Sequence, residues 1–264
     1  MTDMALRCRA SVAACLALLF PVLMSAAGPA HAAACAFEAQ GEGRVATVID
    51  ARTFRLDDGR EVRLAAIEPA LADKAKGVAA LSAIVGGREI TLRGGDDTPD
   101  RYGRQPAHVF VKGSETSVQD ELLRRGEALA SVDVADRDCA AALAAAEGAA
   151  RQAKLGTWSE PTAIKNAESP GDILAGIGRF TVVEGRVLSV RQAGATTYLN
   201  FGRNWTRDFA ATISRRIMPG FEAAGMGPKS LENRRIRVRG YVWSRGGPRI
   251  ELLRVGQIEV LGGK

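Results

Sequence analysis

Arg44–Glu68 reads RVATVIDARTFRLDDGREVRLAAIE. Phe54 and Leu56 alternate with polar residues, and so do Val62 and Leu64, which is the period of two that a half-buried sheet produces. Asp57-Asp58-Gly59 lies between the two runs and predicts a hairpin turn, with Gly59 free to take a positive φ. The stretch therefore predicts a three-stranded meander punctuated by Asp50, Arg52, Arg63 and Glu68. Those four charged side chains pose the functional question: a catalytic site, or the remains of one.

Upstream, Arg7 and Arg9 precede an apolar run, Ala10–Met24, broken by Pro21, and Ala30-His31-Ala32 has the small-residue form of a cleavage site. The pattern predicts an export signal over residues 1–32, cleaved after Ala32 or Ala34. An uncleaved anchor is the alternative, but the run is shorter than the ~20 residues a span needs. A lipidated Cys35 is a further alternative, against which Ala32 stands where a larger aliphatic residue is usual. Cleavage leaves no transmembrane segment and places the remainder outside the cytoplasm, periplasmic or secreted. Cys8 and Cys15 leave with the signal, so Cys35 and Cys139 remain as an even pair. In an oxidising compartment a disulfide is the default, with two unpaired thiols as the other reading. It would close a loop of ~100 residues and contribute at most about 4–5 kcal/mol by chain entropy. No Cys/His cluster has metal spacing. His108, between Ala107 and Val109 in an expected strand, reads as structural rather than as a base.

Downstream, Asp73–Val85 has helical spacing, with Val78, Leu81 and Val85 on one face and Gly86-Gly87 closing it. Strands are predicted at Glu89–Leu92 and Ala107–Val111, on either side of a polar loop. Helices follow over Val118–Arg125 and Cys139–Lys154, joined by a short extended link. Ala163–Gly176, with Asn166, Ser169, Pro170 and Gly171, reads as a linker. Gly171, Gly176 and Gly178 follow no strand, which argues against a dinucleotide loop. Beyond it, six extended segments surround one helix, Ile217–Ala224, a pattern that suggests a five-stranded Greek-key barrel of the OB type. The expected organisation is a signal at 1–32, a first domain at 33–162, a linker at 163–177 and a basic barrel at 178–264.

Charge divides along the same line. Residues 178–264 hold sixteen Lys/Arg against six Asp/Glu, net +10, whereas residues 33–177 hold eighteen against twenty-three, net −5. Arg235, Arg237 and Arg239 alternate along one expected strand and share a face. Tyr198, Trp205, Tyr241 and Trp243 are near them in sequence. A basic barrel with aromatics can hold single-stranded nucleic acid by phosphate neutralisation and base stacking. A solvated arginine face over a core that buries the aromatics explains the pattern equally well, and another polyanion would satisfy the same charge.

From about Gly43 to Pro161 the chain resembles the thermonuclease, or staphylococcal-nuclease-like, family. Five segments carry the resemblance in order: VIDARTFRL, VRLAAIEP, DRYGRQPAHV, LLRRGEALA and AARQAKLGTW. The resemblance implies an α+β fold, a five-stranded OB-type barrel with three helices, and with the second barrel a two-barrel protein. It also implies phosphodiester hydrolysis, in which a metal ion and arginine forks offset charge building on the phosphate and a carboxylate orients water.

Carried over residue by residue, Arg63 and Arg104 match the family's two arginines, Thr53 the turn threonine and Asp50 its first aspartate. Two positions depart. Arg52 stands where a second, calcium-ligating aspartate belongs. In the next box Glu68 replaces the first aspartate, and Leu71 occupies the place of the water-activating glutamate. Arg52 brings a cation to a cation site. At ~4 Å and an effective dielectric near 20, that costs about 4 kcal/mol per unit of opposing charge. The expectation is that Arg52 pairs with Glu68 or Asp50, leaving Arg52, Arg63 and Arg104 as a metal-free phosphate cradle.

Three readings follow. The first is an exported protein that binds nucleic acid or another polyanion through Arg52, Arg63, Arg104, Arg235, Arg237 and Arg239, with calcium-dependent cleavage lost and no cofactor. The second is a working nuclease using Arg63, Arg104 and Glu68 with calcium, in which Asp73 or Asp100 supplies the missing carboxylate. The third is an envelope interaction module without nucleic acid. Oligomeric state is open in all three.

Overall fold

The computed structural model describes residue 35, residues 37–70, 73–95 and 98–131, residue 134 and residues 136–262. The predicted signal and Leu71 lie outside the described residues. The quoted stretch folds as its alternation requires. β1 (Glu38–Asp50) turns into β2 (Thr53–Leu56), which hairpins through Gly59, at φ 89°, into β3 (Glu61–Leu64). Phe54, Leu56, Val62 and Leu64 point inward and are buried. β4 (Ile67–Pro69) leads to α1 (Lys74–Val85), whose first turn is capped by the Asp73 carboxylate accepting from the Ala75 and Lys76 N–H groups.

β5 (Glu89–Gly94) and β6 (Gln105–Val111) complete a closed barrel in the order β1-β2-β3-β6-β5. β1 closes it by pairing with β5 along its first half and β2 along its second, while β3 and β6 run parallel. α2 (Val118–Arg124) starts at the Ser117 cap. β7 (Ala128–Ala130) pairs antiparallel with β4, and α3 (Arg137–Gln152) starts at the Asp136 cap. Cys35 and Cys139 form a disulfide that ties the entry to β1 to the first turn of α3.

The stretch expected to be a linker is structured. β8 (Ile164–Asn166) pairs parallel with β9 (Phe180–Arg186), and α4 (Pro170–Leu174) buries Ile173 in the second core. Ser169-Pro170-Gly171, inside the expected linker, starts a helix, because Pro at the first turn lacks only an N–H that has no partner there anyway.

After β9 the chain continues as β10 (Ser189–Ala193), β11 (Thr196–Asn200), β12 (Ala210–Ser214), α5 (Met218–Ala223), α6 (Pro228–Leu231), β13 (Arg235–Arg245), β14 (Gly247–Leu252) and β15 (Ile258–Leu261). The sheet order is β10-β11-β12-β14-β13-β9-β8, with β15 on β13. β10, at one end of that order, and β9, next to the other end, are consecutive pieces of one chain run, divided at Val187-Leu188. That run pairs with β13 first and β11 second, just as β1 serves β5 and then β2. β12 and β14 supply the parallel ladder. The OB-type connectivity is thus built twice, each time around its own core.

Leu129, Ala150 and Trp158 of the first barrel form a third cluster with Val182 of the second. Among the described residues no helix is long and apolar enough to cross a membrane.

Candidate functional site

Sheet register brings the charged residues of the quoted stretch together. Asp50 pairs with Thr53 across the first turn, and Thr53 pairs with Arg63 on β3. Glu68 sits on β4 opposite Leu129 and is 7% exposed. Arg52 Nη1 forms an ion pair with Glu68 Oε2 and donates to the Ile67 carbonyl at 3.3 Å. The Arg52 backbone N–H donates to Asp50 Oδ1 at 2.8 Å. Arg63 reaches Glu68 Oε1 at 3.7 Å and Asp100 Oδ2 at 3.9 Å. Asp100 in turn accepts from Arg104 Nε at 3.0 Å and Nη2 at 2.7 Å, a forked pair. Five side chains alternate in charge along one line: Arg52, Glu68, Arg63, Asp100 and Arg104.

The electrostatics follow from these contacts. Hydrogen bonding from the Arg104 guanidinium holds the Asp100 carboxyl down at about 2. Arg104 is raised by the same bond, with Asp50 among its further carboxylate neighbours. The Arg63 Nε and the Thr53 hydroxyl are buried and without a hydrogen-bond partner among the described residues. Tyr241, on β13 of the second barrel and half exposed, is an electrostatic neighbour of Glu68. Its phenol is pushed up by burial and then by the Glu68 carboxylate.

Both departures in the family pattern bear on calcium. Arg52 occupies Glu68 from the position of a missing aspartate, and Asp50 is turned to the Arg52 N–H. A divalent ion would have to displace a guanidinium from its carboxylate, so this donor set does not fit calcium. Among the described residues, one cluster of three possible ligands occurs, Cys35, Cys139 and His108, whose ligand atoms lie within 4.8 Å of one another, and both of its sulfurs are in the disulfide. His108 is buried against Phe37, and burial pushes its imidazole down to about 4.

Arg235, Arg237 and Arg239 lie elsewhere and in an environment that the phosphate role did not anticipate. Arg237 pairs with Glu184 at 2.7 Å and with Glu259 at 2.8 Å, because β9 and β15 place those acids directly opposite it. Arg235 shares Glu184 at 2.7 Å. Arg239, 4% exposed, bonds the fully buried Glu147 at 2.8 Å and the Ala130 carbonyl at 3.1 Å. Arg151 joins Glu147 to Glu259. Acids from both barrels therefore neutralise these arginines, and the network clasps α3 to β13.

The first barrel is thus a closed OB-type barrel with three arginines, Arg52, Arg63 and Arg104, converging beside β3 and β4. More narrowly, residues 68–160 match the family model of the staphylococcal nuclease homologue, to which that segment is similar. The match includes Glu68 and Arg104 and begins after Asp50, Arg52 and Arg63. No curated protein matches the chain.

Proposed function

We propose that this is an exported, thermonuclease-like protein that binds nucleic acid and has lost calcium-dependent phosphodiester cleavage. The observation that supports this best is the Arg52–Glu68 ion pair, which sets a fixed cation where the family's chemistry needs a mobile one. Export is favoured by the sequence pattern of residues 1–32 and agrees with the Cys35–Cys139 disulfide. In this reading Arg52, Arg63 and Arg104 keep one edge of the first barrel attractive to phosphate but lack a group to activate water.

The test incubates the protein from Cys35 onward with labelled single- and double-stranded DNA, with calcium or with chelator. The expected result is binding that weakens as salt rises and no calcium-dependent shortening of either strand. Cleavage that needs calcium and disappears in Arg104→Ala would overturn the reading in favour of an active nuclease. Absence of any nucleic-acid binding would overturn it in favour of an envelope module.

A further inference from the structure

With Arg235, Arg237 and Arg239 bonded to acids, four further arginines of the second barrel meet in a groove of about 770 Å³ beside β10 and β11. Arg191, Arg203, Arg245 and Arg249 line it together with Tyr198 and Trp205, and its lining contains no carboxylate. None of these four arginines makes an ion pair among the described residues, including with Glu251, two residues along β14 from Arg249. The register explains the convergence. Arg191 pairs directly with Tyr198 across the β10–β11 ladder, and Ala210 of β12 sits between Asn200 and Arg249.

The groove is built rather than incidental. Arg249 is buried, stacks over the Tyr198 ring at 5.2 Å and donates to the Arg245 carbonyl at 3.1 Å and the Trp205 carbonyl at 3.4 Å. Those bonds fix its charge without cancelling it. Trp205 is 67% exposed, yet it rides on a closed turn. Asp208 Oδ2 accepts from the Asn204 N–H at 2.8 Å, and Asn204 Oδ1 accepts from the Thr206 hydroxyl at 2.6 Å. Gly247 lets the next strand close on that turn, since a Cβ there would come within 2.5 Å of the Asp208 carbonyl.

We infer that this groove binds single-stranded nucleic acid, with Arg191, Arg203 and Arg245 on successive phosphates and a base stacked on Trp205. The inference rests on the nucleic-acid-binding reading above and assigns that binding to the second barrel, apart from the arginines of the first. Charge alone would suit any polyanion. An indole open to solvent on a hydrogen-bonded turn suits a base freed from a duplex, because every base offers a π surface. A duplex hides that surface, and a sulfated polysaccharide lacks it.

The test is fluorescence anisotropy of the protein from Cys35 onward with a labelled thymidine oligomer, a matched duplex and heparin as competitor. Trp205→Ala is expected to weaken single-strand binding about tenfold, with the salt slope unchanged, and Trp205→Phe to restore most of it. Arg203→Ala and Arg245→Ala are each expected to flatten the logarithmic salt slope by about 0.7, the single-strand value for one phosphate. Arg249 is left intact because it is buried. If Trp205→Ala has no effect while the arginine variants lose oligomer, duplex and heparin alike, the groove is a general polyanion surface and the proposal falls. If the groove variants bind normally and Arg63→Ala or Arg104→Ala does not, the proposal falls while the functional reading survives. If the native protein binds no strand, both fall.

Discussion

Arg63 and Arg249 each stand beside the parallel ladder of their own barrel, one on β3 next to β6 and the other on β14 next to β12. Around Arg63 the fold places Glu68 and Asp100, and those acids also engage Arg52 and Arg104. Around Arg249 it places an aromatic ring and two backbone carbonyls. Both guanidinium groups are fixed in position, but only the first has its charge answered. The same contrast recurs inside the second barrel, between the acid-bonded arginines of β13 and the groove. Net charge therefore says little about where an anion binds. An arginine held by something other than a carboxylate keeps more of its charge for an incoming anion.

The strongest way to break the acid-bonded side is Glu147→Gln. It leaves buried Arg239 with only the more distant Glu259 carboxylate, at 3.8 Å, which costs about 3 kcal/mol or more, to be read from denaturant midpoints. Replacing the pair together, Glu147→Leu with Arg239→Met, is expected to recover much of that loss. The groove should be indifferent to both changes as long as the protein is folded.

A second effect belongs to the first barrel. Buried His108 titrates at about 4 when folded, against 6.5 for a free imidazole. Between those values the unfolded chain binds the extra proton, so stability falls as pH drops from 6.5 towards 4. The loss is about 3 kcal/mol. His108→Leu should flatten that limb of the pH–stability curve, and unfolding followed between pH 7 and pH 4 would check it.

A third test asks whether the calcium misfit is due to Arg52. Added calcium is expected to leave the melting temperature of the native protein unchanged. In Arg52→Asp, calcium at a hundredfold excess over its dissociation constant should stabilise by about 2.7 kcal/mol. A calcium-dependent rise in the native protein would contradict the site as described. The smallest effect concerns Asp100. Its carboxyl is depressed to about 2, so its contribution is present above the ordinary 3.8 and is lost as pH falls through 2. Asp100→Asn should remove that final acid limb without touching the His108 limb.

The alternation of Phe54, Leu56, Val62 and Leu64 was enough to read the first sheet, and cap residues such as Asp73 and Ser117 marked the helices. Strand β13 was legible as an arginine strand for the same reason. What could not be read was who faces it. Glu184 and Glu259 are fifty-three and twenty-two residues from Arg237, and only the β9 and β15 registers bring them opposite. Tyr198 and Trp205 were legible as aromatics near basic residues, but their partners proved to be Arg191 and Arg249 instead of the β13 run. Tyr241 was grouped with them and instead reaches Glu68, a contact between barrels that no local pattern encodes. At the candidate site the substitution of Arg52 was visible in the sequence, and so was its expected pairing with Glu68. The role of Asp100 as the counter-ion of Arg104 was not.

Glu147 Oε2 receives the N–H of Ala130 at 2.7 Å as well as the Arg239 guanidinium. Ala130 is the β7 residue opposite Ile67, one step from Glu68. A short relay of hydrogen bonds thus runs from the second barrel through α3 to the strand that presents the key carboxylate of the first. The nuclease-like barrel is consequently not a portable part. Grafted onto another protein without β13, it would keep its sequence and lose both the Tyr241 phenol that interacts with Glu68 and the arginine bonded to the Ala130 carbonyl.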